Sequence, residues 1–364
     1  MIKKIYLWGL LTVIMEMWGC QNNTNIILQN ATKIIDIQTY TDTTSIKCVP
    51  LETKEECLIG QVKQLLITDH HIFIVNRSPD RVYMFDREGK FIRRIGSAGR
   101  GPAEYLNVEN IDVNEKKEEI VLYDIEECRA LRFDYQGHFL SSFSNAASPY
   151  GNIIYLNDSL FALENSSNRN GIENNPKILI LNDSGNIVNT FIHQPKLINK
   201  KSIIPTSWGF FSKNNTGSYY IPLGTDTIYR LSQNGKNEMI CTLGIQQDMF
   251  PMDVSQADYD AMKQIKFGPI SEFHITNEGT FVGNVSFQGR PVELMGTLKD
   301  KIKLVGLTTS KANAFPGLTH VETSFQDYFV GMMSATTAIQ FKDKFPDLGE
   351  DSNPVIVFLK YVLP

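Results

Sequence analysis

"VYMFDREGKFIRRI", Val82–Ile95, is an apolar run, an aspartate, a glycine turn and a second run of alternating character. The same pattern returns as "ALRFDYQGHFLSSF", Ala130–Phe143, and as "ILILNDSGNIVNTF", Ile178–Phe191. Their turn glycines, Gly89, Gly137 and Gly185, are spaced 48 residues apart, and a weaker copy, "IYRLSQNGKNEMICTL", has its glycine at Gly235, 50 further on. Period-2 runs rich in β-branched and aromatic residues, broken by Asp, Asn and Gly, read as β-hairpins. A period near 48 with several short strands per unit is what four-stranded propeller blades produce. Each repeated hairpin is then the outer half of a blade.

The runs between these hairpins supply the inner strands: "LIGQVKQLLITDHHIFIVN", "LNVENIDVNEKKEEIVLYD", "YGNIIYLNDSLFALEN" and "PTSWGFFSKNNTGSYYIPLG". In the C-terminal third, "ISEFHITNEGTFVGNVSF" and "VETSFQDYFVGMMSA" read the same way. At this period the roughly 315 residues after Pro50 hold six blades with longer loops. The reading is an all-β, six-bladed propeller with four-stranded antiparallel blades, closed by an N-terminal strand that joins the last blade. "TKIIDIQ", Thr32–Gln38, and "NPVIVFLKYVL", Asn353–Leu363, are predicted to meet there. One helix is predicted in the mature chain, over Ser255–Lys266.

The first residues are of another kind. Lys3 and Lys4 precede an apolar run from Ile5 to Met15, shorter than the about 20 residues that span a bilayer. Gly19-Cys20 follows, a small residue before a cysteine, as at a bacterial lipoprotein processing site. The chain is thus read as a signal peptide over 1–20 with Cys20 lipidated, a polar tether over 21–31 and the propeller over 32–364. The tether lacks an acidic run, which points to the periplasmic face of a membrane rather than the cell surface. A net charge of −5 with both signs mixed along the chain leaves no footprint for nucleic acid. Cys48, Cys57, Cys128 and Cys241 have wide, irregular spacing and no CxxC, so free thiols, or one bridge such as Cys48 to Cys57, are expected.

Chemistry is sparse. "IGSAGRGPAEYL", Ile95–Leu106, packs glycines and an arginine as a phosphate loop does, but a strand pattern follows it, not a helix, and the Lys-Ser/Thr pair is missing. It reads as a crossover between blades. Arg100, Glu104 and Tyr105 carry more side-chain chemistry than a crossover needs and are the candidate ligand contacts; the plainer reading pairs Arg100 with Glu104 to pin the loop. Loop aromatics Tyr105, Tyr150 and Trp208 are candidates to stack on a sugar. His70 and His71 point to opposite faces of a strand and cannot share a metal. His138, His193, His274 and His320 are scattered, with His274 on an inner strand. No G-x-S-x-G or HExxH motif occurs.

The lipoprotein-like start, "VYMFDREGKFIRRIGSAGRGPAEYLNVENIDV", "TDTIYRL" and the terminal "EDSNPVIVFLKYVL" together resemble the six-bladed β-propeller lipoproteins of Bacteroidetes, which are NHL-like propellers. Ala103 stands where members more often carry glycine. The resemblance implies the fold and export, and some members lie beside glycan-uptake systems; it implies no reaction. Propeller hydrolases of the lactonase type hold calcium with inner-strand acids, and Asp69, Asp112, Asn157 and Glu272 lie at comparable places. No catalytic, cofactor or metal residue is assigned. The expectation is a lipid-anchored, non-catalytic binding module for a carbohydrate, peptide or envelope-protein ligand. The alternatives are a lyase or hydrolase using a divalent cation such as calcium, and a scaffold within an envelope complex.

Overall fold

The repeated glycines do the work expected of them. Gly89, Gly137, Gly185 and Gly235 have φ of +85°, +82°, +77° and +72°, a region that costs glycine little. Three residues earlier, Asp86 Oδ1 accepts the N–H groups of Glu88 and Lys90 at 3.0 and 2.8 Å. Asp134, Asn182 and Ser232 do the same for His138, Asn186 and Lys236. Each hairpin carries a register shift, the extra residue of a bulge, beside the turn in the first three and further along the strands in the fourth. At Gly89 close approach adds to conformation: a Cβ there would lie 2.3 Å from the Pro50 carbonyl oxygen.

The computed structural model describes residues 34–144, 151–165, 176–193, 209–245, 267–288, 290–298, 303–309 and 321–363. They form antiparallel sheets of the propeller type. The first sheet is Gln61–Ile67, His71–Arg77, Arg81–Asp86 and Phe91–Ile95; the second is Val108–Asn114, Glu119–Asp124, Arg129–Asp134 and Phe139–Ser144. The third runs Ile153–Tyr155, Leu160–Glu164, Pro176–Asn182 and Ile187–His193, and the fourth Phe210–Asn214, Gly217–Ile221, Thr227–Leu231 and Asn237–Thr242. The fifth holds Phe267–Ile275, Thr280–Phe287, Arg290–Thr297 and Lys303–Thr309; the sixth holds Thr323–Phe325, Tyr328–Met333, Val355–Tyr361 and Thr41–Pro50. Among the described residues no helix is long and apolar enough to cross a membrane.

The core lies between sheets. Phe73 and Val82 of the first pack with Ile111 and Phe133 of the second, Tyr123 of the second with Phe161 of the third, and Ile178 of the third with Tyr220 of the fourth. Ile228 meets Phe273 across the fourth and fifth sheets, Met295 meets Phe329 across the fifth and sixth, and Phe358 of the sixth meets Ile74 of the first. The residue two before each turn glycine braces the same joints from outside. Arg87 lies over Phe325 and Phe358, with centroid distances of 4.7 and 4.8 Å. Tyr135 meets His71 edge-on at 5.1 Å, Asp183 pairs with Arg132 at 3.3 Å, and the Gln233 carbonyl accepts from Asn157 at 2.6 Å.

The first strand of each sheet is an edge whose backbone groups need partners. Side chains of the neighbouring first strand supply them. Gln64 donates to the Ile111 carbonyl at 3.0 Å and accepts the Ile111 N–H at 2.7 Å. Asn110 repeats this on Ile153, at 2.8 and 2.9 Å. Ser212 accepts the Ile275 N–H at 3.0 Å, and Ser324 donates to the Ile275 carbonyl at 2.8 Å.

One expectation changes, one falls outside the described residues, and one of two alternatives is decided. The strand within Thr32–Gln38, seen at Ile34–Asp36, pairs in parallel with Leu307–Thr309 of the fifth sheet and not with the C-terminal strand. The next segment, Thr41–Pro50, pairs antiparallel with Val355–Tyr361 instead. The expected helix over Ser255–Lys266 lies outside the described residues, and a one-turn helix stands at Ala335–Ala338, capped by Ser334 Oγ on the Thr337 N–H at 3.2 Å. None of Cys48, Cys57, Cys128 and Cys241 forms a disulfide, so of the two readings the thiols hold and the Cys48–Cys57 bridge does not.

Asn110 is buried at 6% exposure, so Asn110→Leu leaves an N–H and a carbonyl of Ile153 without partners. It is expected to cost about 3 kcal/mol, read as a lower urea midpoint with an unchanged slope. A loss below about 0.5 kcal/mol would show that the stitch does not support the fold.

Candidate functional site

Ile95–Leu106 connects the last strand of the first sheet to the first strand of the second, as a crossover does. Ser97–Ala98 and Glu104–Tyr105 pair in parallel within it. Tyr105, expected as an exposed contact, is buried at 1% exposure. Its hydroxyl accepts the Val82 N–H at 3.3 Å and donates to the Ile95 carbonyl at 3.2 Å, and burial pushes its pKa up to about 12. Glu104 turns inward to accept the Gly101 N–H at 2.8 Å. Arg100 is exposed and pairs with Glu127 at 3.4 Å, not with Glu104. The loop is pinned instead by Arg129, which donates to the carbonyls of Gly101 and Glu104 at 3.0 and 2.7 Å, and by buried Asp124, whose carboxylate accepts from Leu106 and Asn107. Of the three candidates only Arg100 presents its charge to solvent. Tyr150 and Trp208 lie outside the described residues, as does Cys20.

The other mouth, where first strands turn into second strands, carries the stronger feature. Its turns are joined in series. Gln326 of the sixth donates to Asp69 of the first at 3.0 Å, and the Asp69 N–H donates to Glu115 of the second at 3.2 Å. Asn114 and Lys116 of the second hold Asp158 of the third at 3.0 and 3.2 Å. The Asn215 N–H of the fourth donates to Asn277 of the fifth at 2.9 Å, and the Glu278 N–H donates to Asp327 of the sixth at 3.1 Å. Among the described residues no hydrogen bond joins the third of these turns to the fourth; Asn157 of the third reaches instead the outer hairpin turn of the fourth sheet, at Gln233. There a cleft of about 970 Å³ opens, its walls including Asn114 and Asp158 on one side and Asn215, Thr216, Arg230 and Lys236 on the other.

The third sheet's first strand, Ile153–Tyr155, is short, with 3 residues where its counterparts in the first and second sheets have 7. Across this shortened strand Lys213 of the fourth sheet reaches Asp112 of the second, and their ion pair bridges two sheets that are not neighbours. Asp112 also accepts the Tyr155 N–H at 2.7 Å. Its side chain is 5% exposed and that of Lys213 is 34%, so the ammonium faces the cleft with its counter-charge beneath it. Lys213 was not singled out by sequence, because its partner is 101 residues away and nothing local marks the pair.

The joint has a second polar fastening. Glu164, 1% exposed, accepts the Gly209 N–H and the Tyr220 hydroxyl, the latter at 2.8 Å. Burial pushes its pKa up to about 7 against the pull of these donors, while nearby Lys177 is lowered by its own burial. The acids compared with calcium ligands are dispersed: Asp69 takes Gln326, Asp112 takes Lys213, Asn157 caps its own turn at Ser159 and Leu160, and Glu272 takes Asn284. Among the described residues no three His, Cys, Asp or Glu side chains are grouped to hold a metal.

A family model described as a domain of unknown function, DUF4934, matches residues 24–360. Among solved structures, an exported protein of Bacteroides fragilis is similar with a TM-score of 0.71 and 14% identity, covering 91% of this chain and 99% of that one. A member of the DUF4221 family from Bacteroides vulgatus has a TM-score of 0.56 and 11% identity, covering 88% of this chain and 99% of that one. At such identities the likeness is one of fold. No curated protein matches the chain.

Glu164 makes the joint sensitive to pH. Between its ordinary value of 4.5 and about 7 the folded state holds a proton that the unfolded chain has released. Stability from this group is therefore full below the ordinary value and is lost as pH rises through about 7. The melting temperature is expected to fall from about pH 5 to about pH 8, and Glu164→Gln, which keeps a neutral acceptor, is expected to flatten that fall. Equal slopes in the two proteins would remove Glu164 as the cause.

Proposed function

The chain belongs to the DUF4934 family, and we propose that it is a closed six-bladed β-propeller, exported and lipid-anchored through Cys20, that binds a polar ligand between its third and fourth blades without transforming it. Five four-stranded sheets and one five-stranded sheet among the described residues support the blade number. The pairing of Thr41–Pro50 with Val355–Tyr361 and the apolar contact of the sixth sheet with the first support closure. Likeness to an exported Bacteroides fragilis protein supports export, as does the apolar run ending in Gly19-Cys20.

The observation that carries the binding reading is the cleft at the joint where, among the described residues, the two first turns share no hydrogen bond. The other first turns bond to one another, whereas here one bond, from Asn157 to the Gln233 carbonyl, crosses at the level of the turns and the remaining groups face a shared space of about 970 Å³, a size that takes a small ligand. Lys213, seated on Asp112, is a fixed donor in its floor. The crossover at the opposite mouth, with Arg100 exposed, is the lesser candidate, because Glu104 and Tyr105 are spent on the loop itself.

Arrays of oligosaccharides and short peptides test this reading. A ligand is expected to bind wild type and to lose at least tenfold in affinity in Asn215→Trp, which places a bulky ring on an exposed position of the cleft wall. Binding unchanged by Asn215→Trp removes the cleft, and appearance of a product from the bound ligand removes the non-catalytic reading. Cys20→Ser is expected to move the protein from the membrane to the soluble fraction; retention in the membrane would exclude a lipid at Cys20.

A further inference from the structure

The lining of the cleft narrows the ligand further, if the cleft is the binding site proposed above. Its ionic side chains are Lys213, Arg230 and Lys236 against Glu115, Asp158 and Glu238, equal in number. They are also largely matched in place. Arg230 pairs with Glu238 at 2.6 Å, Asp158 with Lys116 at 3.2 Å, and Lys213 with Asp112. A charged ligand gains from one member of each pair what it loses to the other, so the cleft has no strong pull on either sign. What each pair does offer is a donor beside an acceptor, which matches two adjacent hydroxyls that each donate and accept.

The apolar side of the lining is equally restrictive. Tyr155, the aromatic residue of the described lining, is 4% exposed, and Leu156 and Leu231 are 6% and 1% exposed. A bound peptide or protein loop relies on large apolar anchors, and among the described residues of these walls the apolar side chain left half-buried is the small Val113. A sugar bound here is likewise gripped by its hydroxyl edges and not by stacking of a ring face. Exposed Asn215, Thr216 and Gln233 extend the neutral hydrogen-bonding groups along the fourth-sheet wall.

We infer that the cleft takes an uncharged, hydroxyl-rich saccharide, held by hydrogen bonds from the paired charges of the fourth sheet. The probes are neutral oligosaccharides, their uronate and sulfated counterparts, and octapeptides, displayed together on arrays, with the strongest binder titrated by calorimetry. A neutral saccharide is expected to bind, with an affinity that changes less than about twofold between 50 and 500 mM NaCl. Arg230→Met and Glu238→Gln, both solvent-accessible changes that leave the core intact, are expected to weaken it by about tenfold each, and their unchanged melting curves separate this from misfolding. A uronate, sulfate ester or peptide bound tenfold more tightly, or an affinity falling steeply with salt, overturns the inference. In that event the cleft reading stands if Asn215→Trp abolishes that binding. Binding of none of the probes overturns both.

Discussion

The structure depends on how the inner edges of its sheets are satisfied. Neighbouring first strands diverge too far to share a backbone ladder, yet each has N–H and carbonyl groups directed toward the other. A side-chain amide has one acceptor and a donor in fixed geometry, so one Gln or Asn substitutes for a strand's worth of pairing at a single residue. Gln64 on Ile111 and Asn110 on Ile153 are such substitutions, and Ser212 and Ser324 make half of the exchange on Ile275. The apolar contacts between sheets give most of the cohesion. The stitches set the register in which those contacts are made.

Once the register is set, the position of the cleft follows. Asn110 fixes Ile153 beside the second sheet, and the third sheet's first strand ends two residues later at Tyr155. Its turn is drawn toward the second sheet by Asn114 and Lys116 on Asp158, while the fourth turn is drawn toward the fifth by Asn215 on Asn277. Asn157 still ties the third turn to the outer hairpin of the fourth sheet at Gln233, and the space lies between the two first turns. Below the opening, Lys213–Asp112 and the Glu164 contacts with Gly209 and Tyr220 keep the sheets together, so the gap is a built feature with a polar floor.

Much of this was legible from local pattern, and the failures have a shared cause. Turn glycines 48 to 50 residues apart, each preceded at three residues by Asp, Asn or Ser, are a local chemistry, and the φ values and side-chain caps agree with it. Tyr105 failed as a predicted contact because a tyrosine in a glycine-rich loop looks exposed; only the packing of two sheets shows that its ring fills the space between them. Thr32–Gln38 failed as the partner of the last strand because two strand-like segments lie in tandem, and pattern alone does not say which one takes which edge. Asp112 was noticed as an acid, but its meaning comes from a lysine two sheets away.

The sequence by itself therefore determined the all-β class, the repeating unit, the hairpin turns and the nature of the Ile95–Leu106 crossover. These are set by neighbours within a few residues, through backbone conformation and side-chain capping. The tertiary structure decided which edge each terminal segment takes, which loop side chains are buried, and where the series of turns stays open. Those outcomes rest on contacts between residues 43 to 101 positions apart, as with Asn110 and Ile153 or Asp112 and Lys213, and such contacts exist only after the sheets have been packed side by side.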